Sequence, residues 1–159
     1  MLPGARPRAG RLTTGLLVLG VAGGVLSACS SSVRVSPPPH AKECEPATAK
    51  WPATVGGRAA RPVTVKAPAV RTDAAAWGDP AIIATCGWPA LGPTEQECLA
   101  VDGVDWVAEP LSDGVRFTTF GRTPALEVLV PDAYKPEPLL LPAFRAVAEA
   151  LPGNGRRCS

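Results

Sequence analysis

Residues 98–131 read CLAVDGVDWVAEPLSDGVRFTTFGRTPALEVLVP. Alternation and turn chemistry in this stretch decide the fold. Asp102-Gly103 splits two apolar runs. Asp-Gly supplies the positive φ angles that a two-residue type I′ hairpin needs. That register pairs Val101 with Val104 and Leu99 with Trp106, all on one face, and turns Asp105 the other way. A second hairpin follows around Gly121-Arg122-Thr123-Pro124, with Phe120 facing Ala125, Phe117 facing Val128 and Val115 facing Val130. Period-two alternation then puts Val115, Phe117, Leu126, Val128 and Val130 toward a core. Arg116, Thr118 and Glu127 fall on the opposite face, Thr118 across from Glu127 and Arg116 within ion-pair reach of it.

Working outward, Gly78-Asp79-Pro80 forms a turn before a strand at residues 81–86. On the other side, PLLLPAFRAVAEAL places Leu140, Phe144, Val147 and Leu151 on one helical stripe. Pro142 moves the start of that helix to Leu141, and Pro152-Gly153 ends it. A short helix is expected after Cys44, with Trp51 packing inward, and residues 56–72 are expected to be mostly extended. The expected fold class is α+β: a small antiparallel sheet of four to five strands packed on one or two helices, disulfide-bonded.

The chain opens with Arg6, Arg8 and Arg11 and carries no acidic residue before Glu43. The apolar run from Leu12 to Leu26 would span only about 22 Å as a helix, short of a hydrocarbon core of ~30 Å. Basic start, short apolar run and small residues at its end make residues 1–28 a signal peptide. Leu26-Ser27-Ala28-Cys29 resembles a bacterial lipobox. The resemblance implies a diacylglyceryl group on the Cys29 sulfur, cleavage before Cys29, and anchoring to the outer face of the cytoplasmic membrane; two or three acyl chains hold stably. Residues 29–42, rich in Ser and Pro, are expected to be a tether, and its residues 30–41 reach about 37 Å. Residues 43–159 form the single domain.

Without the signal, 131 residues carry thirteen basic and fourteen acidic side chains, a net charge of −1. That balance has no polybasic patch, so nucleic acid is not expected as a partner. Removing Cys29 leaves four cysteines, an even number that reads as two disulfides in an oxidising compartment. Three pairings are open. Cys86–Cys98 and Cys44–Cys158 are favoured, the first closing a local loop and the second joining the domain ends. A zinc site built from all four would want a CxxC pair, which is missing.

WGDPAIIATCGWP, DGVDWV, FTTFGRTPALEVLVP and the terminal RRC resemble an actinobacterial family of exported proteins, the domain of unknown function numbered 3515. The resemblance implies a secreted or lipid-anchored single domain. It transfers no activity and no catalytic residue.

Candidate chemistry is sparse. The one histidine, His40, lies in the tether after three prolines, where nothing is expected to position an imidazole for catalysis. Asp102, Asp105, Glu109 and Asp113 cluster in sequence, as paired carboxylates of a glycan-cleaving enzyme do, but two of them precede glycine and read as turn formers. No phosphate-binding glycine loop is present and no cofactor is expected. Trp106 alternates into the core, whereas Trp88 is the tryptophan most open to a ligand. Trp88, Arg122, Arg116 and Glu127 are the candidate binding residues. The expected protein is a non-enzymatic envelope lipoprotein whose partners are the membrane, through Cys29, and an envelope protein or ligand. The alternatives are a carboxylate enzyme acting on cell-wall glycan or lipid, and a small-ligand carrier with an apolar cavity between helix and sheet.

Overall fold

A computed structural model describes residues 32–65 and 73–159. The expected signal peptide, residues 1–28, and Cys29 lie outside the described residues. Along the chain come β1 (Val33–Val35), α1 (Glu45–Thr48), β2 (Thr54–Val55), β3 (Arg58–Arg61), β4 (Val63–Val65), β5 (Ala74–Trp77), β6 (Ile82–Trp88), β7 (Cys98–Val101), β8 (Val104–Pro110), β9 (Gly114–Phe120), β10 (Ala125–Pro131) and α2 (Arg145–Glu149).

Both hairpins form in the expected register. Val101 pairs with Val104 and Leu99 with Trp106. Asp102 and Gly103 hold φ angles of 49° and 81°, as their turn requires. Phe117 pairs with Val128, Val115 with Val130 and Thr118 with Glu127.

The sheet is larger than expected, and the four-to-five-strand estimate is corrected. Eight antiparallel strands run in the order β2-β3-β5-β6-β10-β9-β8-β7. The strands missed by the sequence reading are short or alanine-rich. Ala74-Ala75-Ala76-Trp77 has low strand propensity, yet Ala74 and Ala76 are buried on one face while Trp77 is buried on the other. Small side chains suit a strand covered on both sides. A separate two-stranded parallel ribbon joins β1 to β4.

The expected tether is corrected as well. Val33 to Val35 pair with Val63 to Val65, and the folded unit therefore starts ten residues before position 43. His40 N–H donates to the Gly87 carbonyl at 2.9 Å. A 3₁₀ helix, Ala41–Cys44, then leads into α1.

One face of the sheet meets the helical layer. Trp77, Trp106, Phe117, Ile82, Leu126, Leu141 and Phe144 are its largest buried side chains. Phe144 meets Trp77 edge-on at 5.4 Å between centroids. These rings fill the space in which a carrier would need an apolar cavity. The terminal helix differs from the expected one: Glu137–Phe144 is 3₁₀ and only Arg145–Glu149 is α-helical. Pro138 and Pro142 remove two amide donors, and the tighter three-residue turn puts Leu141 rather than Leu140 in line with Phe144 and Val147.

The disulfides are Cys44–Cys86 and Cys98–Cys158. The favoured pairing is corrected, for a topological reason. β10, β9 and β8 lie between β6 and β7, which separates Cys86 from Cys98 by four strand spacings, about 19 Å. A disulfide spans at most ~7 Å between Cα atoms. Cys86 also faces the core, whereas Cys98 shares the other face with Val107. Each cysteine staples its own face: Cys86 holds the N-terminal helical turn, and Cys98 holds the C-terminal tail.

Candidate functional site

The sheet's second face is only partly covered, and its open middle holds the candidate site. Local backbone geometry at the end of β6 sets it up. Leu126 pairs with Cys86, but the preceding residue of β10, Ala125, pairs with Trp88. Gly87 is therefore an extra, bulged residue, with φ at 116°. Strict alternation would send Trp88 into the core beside Cys86. The bulge turns it to the other face instead, where its indole N–H donates to Thr85 Oγ1 at 2.7 Å. Only glycine serves here, since a Cβ would stand 2.6 Å from the Ala41 nitrogen.

Next to Trp88 runs a charged strip. Arg116 Nη1 donates to Glu109 Oε2 at 3.0 Å. Its Nε lies 3.4 Å from Glu127 Oε2, within ion-pair range but outside hydrogen-bond geometry. One guanidinium thus bridges carboxylates on the strands either side of it. Burial pushes the Glu127 carboxyl above its ordinary range; Arg116 pulls it back and Glu109 adds to the rise.

β1 closes one wall. Arg34, Val35 and Ser36 face Ile83, Thr85, Trp88, Arg116, Glu127 and Leu129 across a groove of about 250 Å³. Three of the four candidate binding residues, Trp88, Arg116 and Glu127, meet here. Arg34 and Thr85 join them. Thr85 was legible as an outward-facing strand residue, while Arg34 was hidden in a segment taken for tether.

Arg122 does not join them. It donates to the Leu151 carbonyl at 3.0 Å and bridges to Gly153, so it clamps the end of the terminal helix. The carboxylate cluster of residues 102–113 also disperses. Asp102 pairs with Arg145 at 3.1 Å. Asp105 is not an exposed outward residue: the C-terminal tail covers it, and its Oδ2 accepts the Cys158 N–H at 3.2 Å. Asp113 gives its carbonyl to the Asp132 N–H at the far end of the sheet. Only Glu109 reaches the strip. His40 is held rather than loose, with Nδ1 3.3 Å from Glu43 Oε1.

A larger depression, about 460 Å³, lies beside Cys98–Cys158. Its walls are the chain's own tail, Arg156 to Ser159, and the exposed loop residues Thr94 to Gln96. Arg156 already donates to the Leu91 carbonyl, and Asp105 already accepts from the tail's Cys158 N–H. The Trp88 groove is smaller but keeps an aromatic ring and an ion-paired strip facing open space, the combination that ligand pockets use. Among the described residues no group of three His, Cys, Asp or Glu side chains stands together as a metal set, and no helix is long and apolar enough to cross a membrane.

No curated protein and no solved structure matches the chain. A family does, over residues 16–154. The chain belongs to the family described as Protein of unknown function (DUF3515).

Proposed function

We propose that this protein is a non-enzymatic binding module, held at the outer face of the cytoplasmic membrane by lipid on Cys29, with its ligand site in the groove between β1 and the sheet. The Gly87 bulge carries this reading. Bulges are enriched where a side chain must be re-aimed, and this one takes a tryptophan out of a core position and lays it beside a half-buried ion-pair strip. A bulky ring on that face adds nothing to the helix–sheet core. Its placement suits recognition.

The test is photocrosslinking of the full-length protein in its native membrane. A photoreactive residue at Ser36 sits on the groove wall, and one at Leu139, 72% exposed on the helical side, is the control. The reading expects an adduct from position 36 that position 139 does not give and that Trp88→Ala removes. Matching adducts from both positions, or none from position 36, would overturn it. Recovery of the Cys29→Ala protein in the membrane fraction, unchanged, would remove the anchoring half.

A further inference from the structure

We infer that Trp88 separates two adjoining subsites for an uncharged, two-ring saccharide presented as a lipid headgroup at the membrane surface. The inference rests on the groove being the ligand site and on lipidation of Cys29.

The first observation is that Trp88 lines two depressions. One is the groove of about 250 Å³. The other, about 200 Å³, is bounded by His40, Glu43, Pro89, Ala90, Thr123 and Pro124. Each lies below the ~300 Å³ of the smallest drug-sized pockets, a space suited to one six-membered ring. Both rings would touch the same indole.

The second observation is the polar chemistry. The groove holds Arg116 against Glu127, and the second depression holds His40 against Glu43. Each pair sets a nitrogen beside a carboxylate. A sugar hydroxyl donates one hydrogen and accepts others, so it bonds to both partners at once. Arg34, Arg116 and Glu127 line the groove, and Glu109, bonded to Arg116, adjoins it, so the four charges in and beside the groove cancel. A charged ligand would pull one member from its pair and leave the other half-buried and uncompensated, which is costly. The indole face, negative by its quadrupole, attracts the C–H face of a pyranose ring. Aromatic wall, paired donor and acceptor and zero net charge together select a neutral polyhydroxylated ring.

The third observation is the distance to the anchor. Arg34 and Ser36 belong to the groove wall. Cys29 is five residues from Arg34, which limits their separation to about 18 Å of extended chain. A lipidated Cys29 therefore keeps the groove close to the headgroup layer. A headgroup reaches it without leaving the bilayer, and a free saccharide of the same chemistry would occupy the same subsites.

The test uses the full-length protein in phosphatidylcholine nanodiscs. Diglucosyl-, digalactosyl- and dimannosylglycerol are titrated in solution, and the matching diglycosyl diacylglycerols are supplied in the nanodisc lipid. Binding is read by isothermal titration calorimetry, which reports affinity equally for wild type and for variants that lack the Trp88 indole. The expected result is saturable binding to at least one lipid-borne headgroup, weakened about tenfold or more by Trp88→Ala and unchanged by Arg122→Ala. Equal affinity for the free glycoside would keep the saccharide subsites and overturn the membrane presentation. No binding in any arm, or binding that ignores Trp88→Ala, would overturn the inference. If saccharides fail while the crosslink at position 36 still yields a Trp88-dependent adduct, only the saccharide assignment falls. If both fail, the ligand-site reading falls with it.

Discussion

Cys86 and Trp88 stand two residues apart on one strand yet project from opposite faces of the sheet. Cys86 pairs with Leu126 and joins the core; Trp88 pairs with Ala125 and bonds to Thr85 on the other side. Gly87 makes this possible and should not tolerate a side chain. Its φ of 116° disfavours any L residue, and a Cβ would press on backbone atoms of His40 and Ala41. Gly87→Ala is expected to cost about 2 kcal/mol or more, read as a lower urea midpoint. It should also abolish the groove adduct. A variant of wild-type stability would mean that the bulge is freely relaxed.

The two disulfides should be separable in function and comparable in stability. Loops of 42 and 60 residues each contribute about 4 kcal/mol in the chain-entropy picture. Non-reducing peptide mapping is expected to show Cys44 joined to Cys86 and Cys98 joined to Cys158. Replacing Cys98 and Cys158 by serine should free the tail and uncover Asp105, leaving the Trp88 groove intact. A Cys86–Cys98 peptide would contradict the strand order itself.

These pairs also mark where the sequence could be read and where it could not. Asp102-Gly103 and the alternation of residues 115–130 encode their registers locally, because turn type and buried face both fix them. The pairing of Cys86 is not local. It depends on a connection, residues 89–97, that carries the chain from the sheet interior to its far edge. β5 is built from alanines whose role is to be thin, a demand set by neighbours rather than by propensity. Val33–Val35 pairs in parallel with a strand some thirty residues away, so Arg34 could not be placed in the groove from its own surroundings. Arg116 and Glu127 were legible because they lie diagonally to each other on one face of a single hairpin.

The two fully buried tryptophans should respond differently to trimming. Trp77 Nε1 donates to the Pro52 carbonyl at 3.0 Å. Trp106 Nε1 has no hydrogen-bond partner among the described residues. Replacement by phenylalanine removes similar volume from both sites. At Trp77 it also strands a carbonyl, and at Trp106 it removes an unpaired donor. Trp77→Phe is expected to be the more destabilising, by about 1 kcal/mol. Equal urea midpoints would show that the Pro52 bond contributes nothing net.

Arg122 offers a control for binding. It holds the Leu151 carbonyl at the end of the terminal helix. Arg122→Ala should lower stability by about 1 kcal/mol while leaving the groove adduct unchanged. Trp88→Ala should do the reverse, with a small stability change and no adduct. Loss of the adduct in Arg122→Ala at a temperature where the fold is intact would return Arg122 to the binding surface.

Glu127 gives the protein a pH dependence of defined sign. Burial raises its carboxyl above the value of an exposed glutamate in the unfolded chain. Between those two values the folded form holds more proton than the unfolded form, so stability falls as pH rises through that window. The contribution is fully present below the unfolded value and gone above the folded one. Glu127→Gln removes the titration. Relative to wild type, the variant should therefore gain stability as pH is raised through the window, and the difference should level off above it. Urea midpoints of both proteins from about pH 4 to pH 7 measure this. If wild type instead gained on the variant with rising pH, the Arg116 ion pair would outweigh burial at this strand. The strip would then be a stabilising surface pair rather than a half-buried site held ready for a ligand's hydroxyls.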